Sequence, residues 1–211
     1  MPRTLADVFD EAAENDLRWR EGELVHLKVT YENATEPAKA TILRALVCLL
    51  YAHYEGFCKF VFQEWARTIT RRCIRINDLG PPYQLIALRP QITGLPVIED
   101  GDALVRAIEM ASRAIEQRAV ITSPLSTSNL WARVILEATG KFSLAPSAAS
   151  VYNREVDLLV SRRNEIAHGE TMAIRDLASY QTYEDAAFYV MMDLALLLSG
   201  ILHNRTYLRT P

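Results

Sequence analysis

The stretch Leu46-Val47-Cys48-Leu49-Leu50-Tyr51-Ala52-His53-Tyr54-Glu55-Gly56-Phe57-Cys58-Lys59-Phe60-Val61-Phe62-Gln63-Glu64-Trp65 decides the fold class. Its apolar residues recur at intervals of three, four and seven, the period of an α-helix, without the two-residue alternation of a half-buried strand. Leu46, Leu49, Leu50, His53, Phe57, Phe60 and Val61 form one stripe; Val47, Tyr51, Tyr54, Cys58, Phe62, Trp65 and Ile69 form another. So wide an apolar surface needs neighbours on several sides and marks the central helix of an all-α domain. Glu36 and Pro37, following Thr35, suit its first turn and place it over about residues 36–72.

Working outward, Leu5, Val8, Phe9, Ala12 and Leu17 define a first amphipathic helix to about residue 28, opened by Thr4 with Asp7 three residues on, a capping-box start. On the other side, Gly80-Pro81-Pro82, Pro90, Gly94 and Pro96 break residues 76–101 into irregular pieces, and residues 76–119 read as a variable insertion. Helices are expected over 102–119, over 128–139 with a stop at Gly140, over 150–168 ending at Gly169, and over 179–203. No repeat or long linker divides the chain, so residues 1–211 read as one helical domain.

Composition sets the outer bounds. With 50% hydrophobic and 23% charged residues the chain folds, which excludes collagen-like and disordered classes. A net charge of -3 excludes a polycation that holds nucleic acid by bulk charge, so any such site is local. Lys28, Lys39, Lys59 and Lys141 are the only lysines, and the arginines that dominate are the better bidentate partners for phosphate. Cys48, Cys58 and Cys73 form neither a disulfide framework nor a zinc finger and read as small core residues. The N-terminus shows no secretory signal, so the default expectation is cytoplasmic. Residues 186–202 are apolar enough to suggest a membrane span, but Asp193 in their middle argues for a buried bundle helix or interface helix.

The chemistry concentrates in Ser161-Arg162-Arg163-Asn164-Glu165-Ile166-Ala167-His168-Gly169-Glu170. At about 100° per residue, Arg163 falls among Tyr152, Val156, Leu159, Val160, Ile166 and Ala167, on the apolar side of its helix. A guanidinium there either pairs with an acid from another helix, such as Glu55, or lines a cleft that an anionic ligand completes. Arg163, Asn164 and His168 share an arc of roughly 140°, so one anionic group could touch all three. A histidine in the last turn is also favoured simply by the helix dipole.

This segment resembles the signature of the HEPN superfamily: an arginine, a polar residue, and a histidine after four to six intervening positions, here four. Tyr51-Ala52-His53-Tyr54-Glu55-Gly56-Phe57 resembles the RiboL-PSP type of HEPN domain. The resemblance implies an up-and-down helical bundle and a metal-independent endoribonuclease without cofactor, working as a homodimer with its two motif helices facing across a cleft. Carried onto this chain, Arg163, Asn164 and His168 are catalytic, and Arg162 binds flanking phosphates of an RNA substrate. A toxin-antitoxin, restriction or antiviral setting, with a regulatory protein or antitoxin as partner, is likewise implied only by the family. The chemistry is self-consistent, because RNA carries its own nucleophile in the 2′-hydroxyl and needs proton transfer and charge stabilisation.

Two rival readings stand beside it. One keeps the fold as a non-catalytic RNA-binding or dimerisation module. The other is a carboxylate-bridged di-metal bundle, since Glu23 with His26 and Glu165 with His168 have Glu-x-x-His spacing, and Glu55 or Glu137 could bridge. His53 reads as a core histidine, and Arg71, Arg72 and Arg75 as either helix capping or an RNA-facing rim.

Overall fold

A computed structural model describes residues 3–92, 100–125, 129–170 and 174–209. Those residues form eight α-helices and one short 3-10 helix, with no strand beyond two isolated bridges. The fold is all-α, as expected.

Helix α1 (Leu5–Glu32) begins at the Thr4 capping box: the Asp7 N–H donates to Thr4 Oγ1 and the Thr4 N–H to Asp7 Oδ2. A three-residue turn leads to α2 (Glu36–Arg71), with Pro37 in its first turn. Tyr54, Phe57, Cys58, Val61, Phe62 and Trp65 are wholly buried, so both apolar stripes have neighbours. Helices α7 (Asn153–Ala167) and α8 (Leu177–Asn204) complete an up-and-down bundle. Their directions follow from cross-helix contacts. His203 pairs with Asp10 and Glu184 with Lys28, so α8 runs antiparallel to α1. Arg44 meets Glu170 and Tyr51 meets Arg163, so α7 runs antiparallel to α2.

Asp193 has a structural purpose inside the apolar α8: its carboxylate accepts the Ala148 N–H, 2.9 Å away, in the first turn of α6 (Ser147–Val151). Helices α2 and α8 are long and apolar enough to cross a membrane, and here about half of each apolar window is buried inside the bundle.

Five expectations are corrected. Residues 81–92 are helical (α3, Pro81–Ile92): Pro81 and Pro82, at the first positions of a helix, lack only N–H groups that would have no helical partner, and Pro90, expected as a break, lies inside the last turn. Gly94 and Pro96 lie outside the described residues. The next helix, α4 (Gly101–Ile115), stops before residue 119, because the Gln117 carbonyl accepts the Ile76 N–H and the Ala119 N–H donates to the Ile74 carbonyl. Helix α5 (Ala132–Gly140) begins later than 128, after an extended Trp131; Ser128 itself lies outside the described residues. The helix expected over 150–168 is broken at Tyr152, whose ring stacks on Tyr189. Cys73 is exposed, not core: it ends α2 with a left-handed φ of 58°. Trp65 ties this outer region to the bundle by packing against Tyr83 and Phe142.

His53 is the core histidine expected. Arg20 of α1, itself buried, points Nη1 at its ring and carbonyl and is held by Asp16 at 2.7 Å. Gly56 makes this approach possible, since a Cβ there would meet Arg20 Nη1 at 2.8 Å. Glu23 lies 3.2 Å from His53 Nε2, poorly aligned for a hydrogen bond. Burial first, and Arg20 second, hold the imidazole below its ordinary value, against the opposing pull of Glu23 and Asp16. The native state therefore binds this proton less readily than the unfolded chain, so the stabilising effect is complete above pH 6.5 and is lost as pH falls below it. The melting temperature is expected to drop from pH 7 towards pH 5.5, and a His53→Gln variant to show a flatter profile over that window.

Candidate functional site

The end of α7 is closed by a Schellman turn. The Gly169 N–H donates to the Ile166 carbonyl at 3.1 Å and the Glu170 N–H to the Glu165 carbonyl at 2.9 Å, with Gly169 at φ 79°. His168 is thereby the C-cap, its imidazole exposed. A Cβ on Gly169 would meet nothing within 4 Å, so Gly169→Ala isolates the backbone cost of the left-handed φ. It is expected to lower stability by about 1 kcal/mol, read by thermal melting.

Arg163 lies one and a half turns earlier, half-buried against α2. Its guanidinium carbon sits 3.8 Å from the centre of the Tyr51 ring, and its Nη2 donates to Asn129 Oδ1 at 3.0 Å. Stacking of this kind contributes roughly 0.5–2 kcal/mol. Tyr51 is anchored in turn, because its hydroxyl accepts the Leu130 N–H at 3.1 Å, and burial pushes its phenol above the ordinary value, keeping it neutral. The segment carrying Asn129 is pinned to α7 as well, the Ala132 N–H donating to Asp157. Among the described residues no carboxylate comes within 4 Å of Arg163, and its buried Nε has no hydrogen-bond partner. Both of the partners that position this cation are neutral.

The pairing with Glu55 is not formed: Glu55 binds Lys59, 2.5 Å away on its own helix. Asn164 is half-buried and His168 exposed, and among the described residues neither side chain has a hydrogen-bond partner. Arg162 points away from them to Glu165, at 2.9 Å, which also accepts the Ser161 hydroxyl. Sequence reasoning missed Asn129, and placed Tyr51 in an apolar stripe and in the stretch resembling HEPN domains without assigning it to the site. The nearest signal was an arginine on the apolar side of α7, which needed something flat and neutral to lie on.

The Glu-x-x-His residues of the di-metal reading form no three-ligand group among the described residues. Glu165 is held by Arg162 and Ser161, and among the described residues the grouping of three metal-capable side chains is Asp7, Asp10 and His203, at the opposite end of the bundle. Asp7 there caps α1 and His203 pairs with Asp10. Arg71, Arg72 and Arg75 are equally remote: Arg71 is 71 − 44 = 27 residues along α2 from Arg44, about 40 Å at 1.5 Å per residue. Arg75 is already neutralised by Asp78 and Glu116. Cys58 is wholly buried, and burial pushes its thiol far above the ordinary value.

A family model of MAE_28990-like HEPN domains matches residues 9–207. The chain belongs to the HEPN superfamily. The match spans all eight helices except the first turn of α1 and includes the region between α2 and α5. It assigns the MAE_28990-like type, where the stretch around His53 had suggested the RiboL-PSP type. Comparison with curated proteins and with solved structures found no match. HEPN domains are often nuclease or RNA-binding modules and typically dimerise, and the Arg163 to His168 segment lies on α7 and its cap.

Proposed function

We propose that this HEPN domain is a metal-independent endoribonuclease whose active site is Arg163, Asn164 and His168. The observation that carries the reading is the state of Arg163: a half-buried cation, fixed by a ring and an amide, with no carboxylate of the described residues to neutralise it. Such a group is built for an anionic ligand.

In the reaction the 2′-hydroxyl attacks the adjacent phosphorus and the bond to the 5′-oxygen breaks. His168 takes the 2′-proton or supplies one to the leaving oxygen, while Arg163 neutralises charge on the phosphorane. Asn164, one turn before His168, orients the imidazole or the scissile phosphate. Products are a 2′,3′-cyclic phosphate and a 5′-hydroxyl. Arg162 would reach a flanking phosphate by exchanging Glu165 for it. A homodimer with two motif turns facing one cleft, a cytoplasmic location, and an antitoxin or other regulatory partner in a defence setting belong to the same proposal.

A second reading, an RNA-binding module without catalysis, is favoured by one observation: no side chain among the described residues hydrogen-bonds to the His168 imidazole. Incubating a mixed RNA pool with the wild-type protein in EDTA separates the two. Cleavage with cyclic-phosphate ends supports the enzyme; retention of intact RNA supports the module.

A further inference from the structure

Arg44, Cys48 and Tyr51 stand at i, i+4 and i+7 on α2, one stripe facing the motif helix. Tyr51 lies beneath Arg163. Two turns away, Arg44 Nη1 donates at 3.1 Å to the carbonyl of Glu170, two residues past His168. Arg44 therefore reaches the motif turn from a different helix. Half-buried Cys48 stands between Arg44 and Tyr51, the ring beneath Arg163, on this stripe; burial raises its thiol, and the charges of Arg163 and Arg44 act in the opposite sense.

We propose that Arg44 is a second phosphate-binding residue of the site, so that the backbone of a single-stranded nucleic acid is held at two points, on Arg163 from α7 and on Arg44 from α2. The proposal rests on the ribonuclease reading and adds to it a register. A single contact leaves the chain free to pivot, whereas two fix which phosphate faces His168. Arginine suits both points because its planar fork meets phosphate oxygens in pairs. The motif alone does not identify Arg44, which lies 119 residues before Arg163.

The test is binding of a short, mixed-sequence 2′-deoxy oligonucleotide, which cannot be cleaved through a 2′-hydroxyl, over a range of salt concentrations. Arg44→Gln is expected to bind on the order of tenfold more weakly, with a log K against log salt slope shallower by about 0.7. Arg163→Gln should lose a similar amount. Arg44→Lys, which keeps the charge, should retain the slope, as a purely structural clamp on Glu170 would not require. In the wild type, bound oligonucleotide should shield Cys48 from a thiol reagent while leaving exposed Cys73, at the far end of α2, reactive. That protection decides the matter if Arg44→Gln fails to fold. Unchanged affinity and slope in Arg44→Gln, beside a loss in Arg163→Gln, would overturn the second contact and leave the ribonuclease reading standing. Wild-type protein that does not bind at all, yet still cleaves RNA, also overturns it; neither binding nor cleavage removes both.

Discussion

Replacing His168 by alanine is expected to lower RNA cleavage by roughly 10²–10⁴-fold, the usual worth of a positioned proton-transfer group. The same change should leave the fold nearly untouched. The imidazole is exposed and without a hydrogen-bond partner among the described residues, so its removal costs within about 0.5 kcal/mol of stability. Its backbone N–H, which donates to the Asn164 carbonyl at 2.9 Å, survives the substitution and keeps the turn closed. Loss of cleavage with an unchanged melting temperature therefore isolates chemistry from folding. Equal cleavage by wild type and variant would remove His168 from the mechanism.

Arg163→Ala is expected to cost roughly 10²–10³-fold in cleavage, by removal of the charge that stabilises the phosphorane. Its companion is more discriminating. Asn129→Asp keeps size and acceptor position, so Arg163 stays 3.0 Å from an oxygen and over the Tyr51 ring. What changes is charge: the guanidinium gains a carboxylate that competes with phosphate. At the effective dielectric of a protein surface a close pair interacts by up to about 4 kcal/mol, so cleavage should fall roughly tenfold or more while stability holds or rises. A purely structural Arg163 would predict the opposite, with activity indifferent to the exchange. Single-turnover rates beside thermal melts of both variants check this.

These expectations show where sequence reasoning reached. Period revealed α1, α2 and α8, because their apolar stripes are long, and Thr4 and Pro37 marked the starts of the first two; the Asp176 cap of α8, three residues before the expected start, was not read. The end of α7 was legible from Gly169, whose left-handed φ few other residues adopt without strain. Shorter elements were not. Pro81 and Pro82 punctuate in one context and open a helix in another, and only the packing of Tyr83 against Trp65 and Phe142 shows which. At the site, the position of Arg163 on the apolar side of α7 was visible, but its partner was not. Glu55 is a plausible acid by type, yet Lys59 one turn on holds it. Asn129 has no periodic neighbours to flag it and comes to Arg163 through the tertiary fold, by way of the Tyr51 to Leu130 and Asp157 to Ala132 hydrogen bonds.

The most direct test of the account is a single 2′-deoxy substitution in an RNA that the wild-type protein cuts. With EDTA present, replacing the ribose on the 5′ side of a mapped cut should abolish cleavage at that bond, since the nucleophile is gone, while other cuts persist with cyclic-phosphate ends. Continued cleavage at the substituted bond, or products ending in a 3′-hydroxyl and 5′-phosphate, would contradict 2′-hydroxyl chemistry at Arg163 and His168.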